Sequence, residues 1–312
     1  MALSTARTTG PDRRLVYVYT NLSAALRDKT SPLREYLHQR YPNTRSVQAE
    51  YRRGAGPLSV DTGGANPATL GAAFDFTVRF LLVPDHAPLL PLLGFFGHPR
   101  ECAVIESVIE TAQVAVTPAD TDQLSRACWA LAMCTDVYRR GLLRESALDN
   151  LLRTGRFTPD HLLALTPADA IRQLWELRVL AEEHLLPHLH PPSYPGPTFD
   201  ASVLCNADAD LISAGTLIDL KTHLGPKHQR TGLRADSLTG TDLYQLITYA
   251  LFDHTDTYGL TDVGIYSARY AHLATWPLQP LLTTLAGTPI DLAEERETVW
   301  TLLGGHLHTP SD

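Results

Sequence analysis

Residues 206–222, Asn-Ala-Asp-Ala-Asp-Leu-Ile-Ser-Ala-Gly-Thr-Leu-Ile-Asp-Leu-Lys-Thr, constrain this 312-residue chain more than any other segment. Two short apolar-alternating runs flank Ser213-Ala214-Gly215, the pattern of a β-hairpin. Side chains in a strand alternate between faces, so Asp219 and Lys221 on the second strand point the same way. Asp208 and Asp210 share a face of the first strand for the same reason. The hairpin therefore gathers two or three carboxylates and one ammonium in a small volume. Such oxygens, completed by a substrate phosphate, suit a hard divalent cation such as Mg²⁺.

Lysine usage sharpens the point. The chain has three lysines, Lys29, Lys221 and Lys227, against twenty-three arginines. A lysine inside an apolar strand is therefore not filler in this chain. Lysine is a compact charge whose pKa moves readily on burial, and arginine does not replace it. The plain alternative is a surface hairpin with an ordinary salt bridge, because Asp-x-Lys alone is a weak motif.

Downstream, Asp242–Phe252 reads as a helix, with Leu243, Leu246, Ile247, Ala250 and Leu251 at helical spacing and Thr241 or Asp242 as its cap. Gln245 and Tyr249, four apart, lie on one face. Residues 261–268 and 271–276 read as two further strands. With these pieces in order, residues 165–280 resemble the PD-(D/E)xK nuclease superfamily, in particular its RecB-type exonuclease branch. The shared pattern is an acid on a first strand (Asp210 or Asp208), Asp219-Leu220-Lys221 ending a second, and a helix bearing Gln245 and Tyr249.

The resemblance implies an α+β protein with a restriction-endonuclease-like αβββαβ core, and hydrolysis of phosphodiester bonds in DNA. It implies Mg²⁺, with Mn²⁺ as a substitute, held by Asp210, Asp219 and the Leu220 carbonyl. Lys221 would orient or activate the attacking water, and Gln245 and Tyr249 would hold the substrate strand or support the metal site. Core packing with a satisfied hydroxyl is the competing reading of Tyr249. The family also places an acid on the helix before the hairpin. That helix is Ala168–Leu186, where Glu182 falls within the apolar arc and Glu176 at its edge. Glu182 is the first choice and Glu176 the second, against a plain Arg178–Glu182 ion pair.

Between hairpin and helix, residues 221–234 carry Lys221, Lys227, Arg230 and Arg234 with no acid, and Gly225-Pro226 marks a loop. Beside a carboxylate site, Lys227, Arg230 and Arg234 suit a polyanionic strand. The whole chain carries a net charge of −8, which argues against a general nucleic-acid coat. The charge is uneven: residues 1–53 hold ten Arg/Lys and four Asp/Glu, a net +6 that leaves −14 for the rest. A local positive groove is all that a cutting enzyme needs. Arg13, Arg14, Arg27, Arg34, Arg40, Arg45, Arg52 and Arg53 would extend such a track, unless acids of the C-terminal half pair with them.

Cys102, Cys128, Cys134 and Cys205 have no zinc, disulfide or iron–sulfur spacing, so no iron–sulfur cluster is expected. No apolar stretch has bilayer length and no secretory h-region stands at the N-terminus, which makes the cytoplasm the expected location and leaves no membrane role. His184, His188 and His190 match no metal-binding pattern and read as loop histidines. Residues 15–20 suggest a strand; Ser31–Arg40, 101–113, 122–140, 142–153 and 158–165 suggest helices; and 65–93 is mixed, broken by Pro84, Pro88 and Pro91. The expected organisation is a mostly helical region over 1–165, possessing a nucleic-acid or partner-binding role, and a nuclease-like core over 166–312. The alternative is a catalytically inactive nuclease-like module that binds nucleic acid or a protein partner in a genome-maintenance or phage-defence complex.

Overall fold

The computed structural model describes residues 17–116 and 120–307; Arg13, Arg14 and the start of the strand expected over 15–20 lie outside them. The described residues form thirteen α-helices and one five-stranded sheet, an α+β architecture. The strands are β1 (Ser193–Pro195), β2 (Leu211–Ser213), β3 (Thr216–Lys221), β4 (Asp262–Ser267) and β5 (His272–Pro277). They lie in chain order, with β3 and β4 parallel and every other neighbour antiparallel. The parallel step is made by the crossover helix Gly240–Phe252. Tyr17 to Tyr19 form no strand.

The pleat sorts the sheet residues into two cores. Leu211, Ile218 and Tyr266 face a helical layer built from Pro67–Leu82, Pro99–Val116, Thr121–Arg140 and Ala168–His184. Ile212, Leu217, Val263, Ile265 and Trp276 face the other way, onto Gly240–Phe252, Leu278–Ala286 and Leu292–Leu302. Both faces are covered, so the strands read as nearly continuous apolar runs. The cores divide the chain differently from residues 1–165 and 166–312. The helices Leu22–Arg27, Pro32–Arg40 and Thr44–Gly54 pack into the second core, with the C-terminal elements. Glu295, on Leu292–Leu302, accepts from Tyr36 and from Tyr41 (2.7 Å) and pairs with Arg40 (2.6 Å). Arg269 joins the two sides: its guanidinium donates to the Thr222, Val60 and Asp61 carbonyls and to Gln173 Oε1 at 2.6–3.2 Å.

The expected hairpin forms, with Ala214 and Gly215 as its two-residue turn, both left-handed (φ 46° and 79°). Glycine suits this conformation and alanine does not. Ala214→Asn, which creates the Asn-Gly pair such turns favour, should stabilise the fold by about 0.5–1 kcal/mol, read as a rise of about 1–3 °C in Tm. A lower Tm would contradict this account of the turn.

The main departure lies at residues 65–93. A single sixteen-residue helix, Pro67–Leu82, runs there, with Asn66 accepting from the Ala68 and Thr69 amides and Pro67 in its first turn. It is sandwiched between the sheet and the other helices, so Phe74, Phe76, Val78 and Phe80 are all buried. An all-round apolar helix has no amphipathic stripe to betray it.

Candidate active site

The open end of β3 positions the chemistry. β2 begins only at Leu211, so β3 beyond Ile218 has β4 on one side and no strand on the other. Continuing the register would set Asp210 opposite Asp219. Released from the ladder, the Asp210 side chain instead accepts the Leu220 amide at 2.6 Å. The N–H and C=O of one strand residue point to the same edge, so the Leu220 carbonyl faces this open edge too.

Asp219 and Lys221 both point toward the helix Gly240–Phe252, as the alternation requires. The Lys221 ammonium lies 2.6 Å from Asp219 Oδ2 and 3.8 Å from Asp242 Oδ1. It donates to Gln245 Oε1 at 2.9 Å, and Gln245 Nε2 donates to the Tyr249 hydroxyl at 2.8 Å. Tyr249 is buried and its ring stacks on Phe199 at 5.9 Å. Gln245 and Tyr249 thus hold the lysine in place, with Tyr249 buried and Gln245 partly exposed. Asp242 also closes a capping box with Thr239, which fixes the start of the helix.

One carboxylate at the cleft was missed by sequence reasoning. Asp75, from the middle of Pro67–Leu82, lines it together with Arg79, Arg139, Asp210 and Leu220. Arg79 grips Asp75 with two contacts, Nε to Oδ1 at 2.8 Å and Nη2 to Oδ2 at 2.7 Å. The available signals were the Asn66-Pro67 helix start and a lone Asp/Arg pair four apart in an otherwise apolar run.

The acid expected on Ala168–His184 is corrected. The buried face of this helix carries Ala170, Gln173, Leu174, Leu177, Arg178 and Ala181, while Glu182 is exposed and pairs with Arg178 at 2.8 Å. Glu176 pairs with Arg172 at 2.8 Å. Neither lines the cleft. Asp208 precedes β2 and lies outside the cleft lining, on the hollow beside it, where it pairs with Arg139 at 3.2 Å. His188 and His190 are exposed and His184 half-buried.

The cation loop also differs from expectation. Lys227 and Arg234 face each other across an isolated bridge that carries Arg230 outward on an exposed excursion, and Arg234 donates to the Gly225 carbonyl at 2.9 Å. None of the three lines the cleft. The loop is anchored by buried Asp236, which accepts from Tyr51 at 2.6 Å, and by Gln48, which donates to the Leu238 carbonyl at 2.9 Å. Tyr51 and Gln48 both come from Thr44–Gly54, whose Arg45, Arg52 and Arg53 are exposed and make no ion pair among the described residues. Arg34 donates to the Leu26 carbonyl and Arg40 pairs with Glu295, so these two serve the fold.

Electrostatics set this cleft apart. Burial raises Asp210 well above the ordinary carboxyl range, and the charges of Asp75 and Asp219 push it further. Burial also raises Asp219, against the pull of Lys221, and raises Asp75, against Arg79. Burial disfavours the Lys221 ammonium, but Asp219 and Asp242 more than offset this and its pKa lies above the usual lysine value. Of these groups Asp75 and Asp210 line the cleft, while Asp219 and Lys221 lie beside it on the face of β3 toward Gly240–Phe252; perturbed groups gathered at one sheet edge in this way mark functional sites.

Among the described residues, no three His, Cys, Asp or Glu side chains stand close enough to complete a cation site by themselves. The donor set nevertheless fits a hard divalent ion. It is all oxygen, and Asp219 Oδ2 is shielded from water with the Lys221 ammonium at 2.6 Å. Asp210 and Asp219 would hold the ion, with water or phosphate oxygens filling its remaining positions. No protein-family model matches the chain, and neither a curated protein nor a solved structure shows significant similarity to it.

Proposed function

We propose that this chain is a metal-dependent nuclease of PD-(D/E)xK type that hydrolyses phosphodiester bonds, with DNA as the substrate. The observation that carries the reading is the chain of contacts Asp219–Lys221–Gln245–Tyr249 beside Asp210, which joins every part of the motif at 2.6–2.9 Å. The order of elements supports it. Helix Ala168–His184, strands β1 to β3, helix Gly240–Phe252 and strand β4 follow αβββαβ, and β5 with the last helices extends the core.

In this reading Asp210 and Asp219 would hold the cation, which would supply polarisation of a phosphoryl oxygen and a lowered pKa for water. Lys221, fixed by Asp219 and Gln245, places its positive charge at the reacting phosphate. Asp75 adds to the negative field, and its pairing with Arg79 keeps it from being an unscreened buried charge. Arg45, Arg52, Arg53, Lys227 and Arg230 offer exposed, uncompensated charge on neighbouring elements, an approach surface for a polyanion.

A non-catalytic nucleic-acid-binding module is the second reading. It is favoured by the two-contact engagement of Asp75 by Arg79, which leaves only two carboxylates for a metal. Cleavage separates the two. Labelled DNA should be cut with Mg²⁺ or Mn²⁺ and left intact in EDTA. Asp219→Ala should lower turnover by about 10²-fold or more while changing substrate affinity far less. DNA that stays whole under all metal conditions would sink the enzymatic reading, and cleavage undiminished by EDTA would sink the metal.

A further inference from the structure

We propose that the hollow adjoining the cleft receives one unpaired nucleobase of the bound strand, so that the strand enters the site single-stranded. The inference rests on the nuclease reading for the identity of the ligand as nucleic acid. The hollow measures about 300 Å³ and shares Phe76, Arg79, Leu90 and Arg139 with the cleft. A base lying in it would therefore keep its phosphate near the two arginines and the next phosphodiester near Asp210. That volume is at the lower end for small-molecule sites and suits one flat ring system.

The walls fit such a ring. Phe76 is buried, whereas Tyr138 and Leu89 are 42 % and 64 % exposed at the rim. An exposed tyrosine at the rim of a hollow is a stacking platform for a base, and stacking tolerates any base identity because each has a π-face. Arg139, at the end of Thr121–Arg140, has half of its side chain in solvent and can meet a phosphate.

The polar groups fit the edge of a base. His86 lines the hollow, and its Nε2 is shielded from water with no hydrogen-bond partner. Burial first, then the charge of Arg79, pushes this histidine down to about 4, so the ring is neutral and offers one donor and one acceptor. Asn206 and Asp208 stand in the same lining, an amide and a carboxylate within a small space. A base already paired has its edge occupied, so a site of this form selects an unpaired one.

The test is a binding measurement in EDTA, where nothing is cut. A fluorescein-labelled single-stranded 12-mer is compared by anisotropy with versions carrying one abasic residue at each position in turn. One position in the scan should weaken binding about tenfold, the effect of losing one base stack. Tyr138→Ala and His86→Ala should each weaken the intact strand severalfold and erase that position's penalty, with unchanged Tm. A fully paired duplex should bind more weakly than the single strand. A flat abasic scan, or a penalty that persists unchanged in both variants, would overturn the proposal. So would deoxynucleoside monophosphate displacing the strand at concentrations near the strand's own Kd, which would make this a free-nucleotide site. Because the readout needs no metal, failure to cleave DNA leaves the result readable. Cleavage together with a flat scan would remove the base site and keep the nuclease.

Discussion

Lys221→Ala is expected to lower kcat for phosphodiester cleavage by about 10²–10³-fold, with KM changed only a few fold. The expectation follows from what holds the ammonium. It is locked between Asp219 Oδ2 at 2.6 Å and Gln245 Oε1 at 2.9 Å, and Gln245 is fixed by Tyr249. A cation held this tightly is preorganised for charge that develops on a phosphate, which lowers the barrier more than it strengthens ground-state binding. Lys221→Arg should not rescue, because a planar guanidinium cannot occupy the place of a compact ammonium between a carboxylate and an amide. The same substitutions in the exposed loop should behave differently. Lys227→Ala and Arg230→Ala are expected to raise the apparent Kd and shallow its salt dependence, leaving the chemical step alone. Lys221→Ala also leaves Asp219 buried without its counter-charge, so Tm should fall by several degrees and the assays belong well below it. Equal losses of kcat in all three variants would deny Lys221 its special place.

Much of this site was legible because it lies on elements whose periodicity is visible. The alternation in 216–221 placed Asp219 and Lys221 on one face, and the helical spacing in 242–252 placed Gln245 and Tyr249 together; the structure joins all four. What escaped depended on tertiary context. Pro67–Leu82 is buried over most of its length from Leu70 to Phe80, so its helical period vanished into a nearly solid apolar run, and Asp75 vanished with it. Glu182 misled for the opposite reason. The helical wheel of Ala168–His184 gave weight to Trp175 and Val179, yet these are 52 % and 42 % exposed and the buried arc includes the polar Gln173 and Arg178. An apolar arc locates the core only when the core takes that arc. Asp208 shows a third limit. Its shared face with Asp210 required a strand that has not yet begun, and one residue pair across space, Arg139 with Asp208, decided its direction. The N-terminal arginines divide along the same line, since Arg40 found Glu295 some 255 positions away while Arg45, Arg52 and Arg53 found no acid.

Asp210→Asn should make the metal-free protein more stable at neutral pH while abolishing cleavage. Burial and the neighbouring charges of Asp75 and Asp219 hold the folded-state pKa of Asp210 well above the ordinary carboxyl value of about 3.9. The folded chain therefore binds this proton more tightly than the unfolded chain does. The resulting stabilisation is full below the unfolded pKa and is lost as pH rises through the raised folded value. Above that value the ionised carboxylate is a net cost, so a neutral isostere recovers about 1 kcal/mol or more at pH 7 and almost nothing at pH 4. Asparagine keeps an oxygen to accept the Leu220 amide, so the side-chain hydrogen bond of Asp210 to that amide survives the exchange. A divalent cation reverses the balance for the wild-type protein alone, because it binds the folded state through the ionised carboxylate. Thermal melts should accordingly show the variant above wild type without metal at pH 7, a narrowing gap toward pH 4, and a rise with millimolar Mg²⁺ or Mn²⁺ confined to wild type. A variant that melts lower at pH 7, or that gains as much from metal as wild type does, would make Asp210 a structural acceptor for the Leu220 amide and would move the cation elsewhere in the cleft.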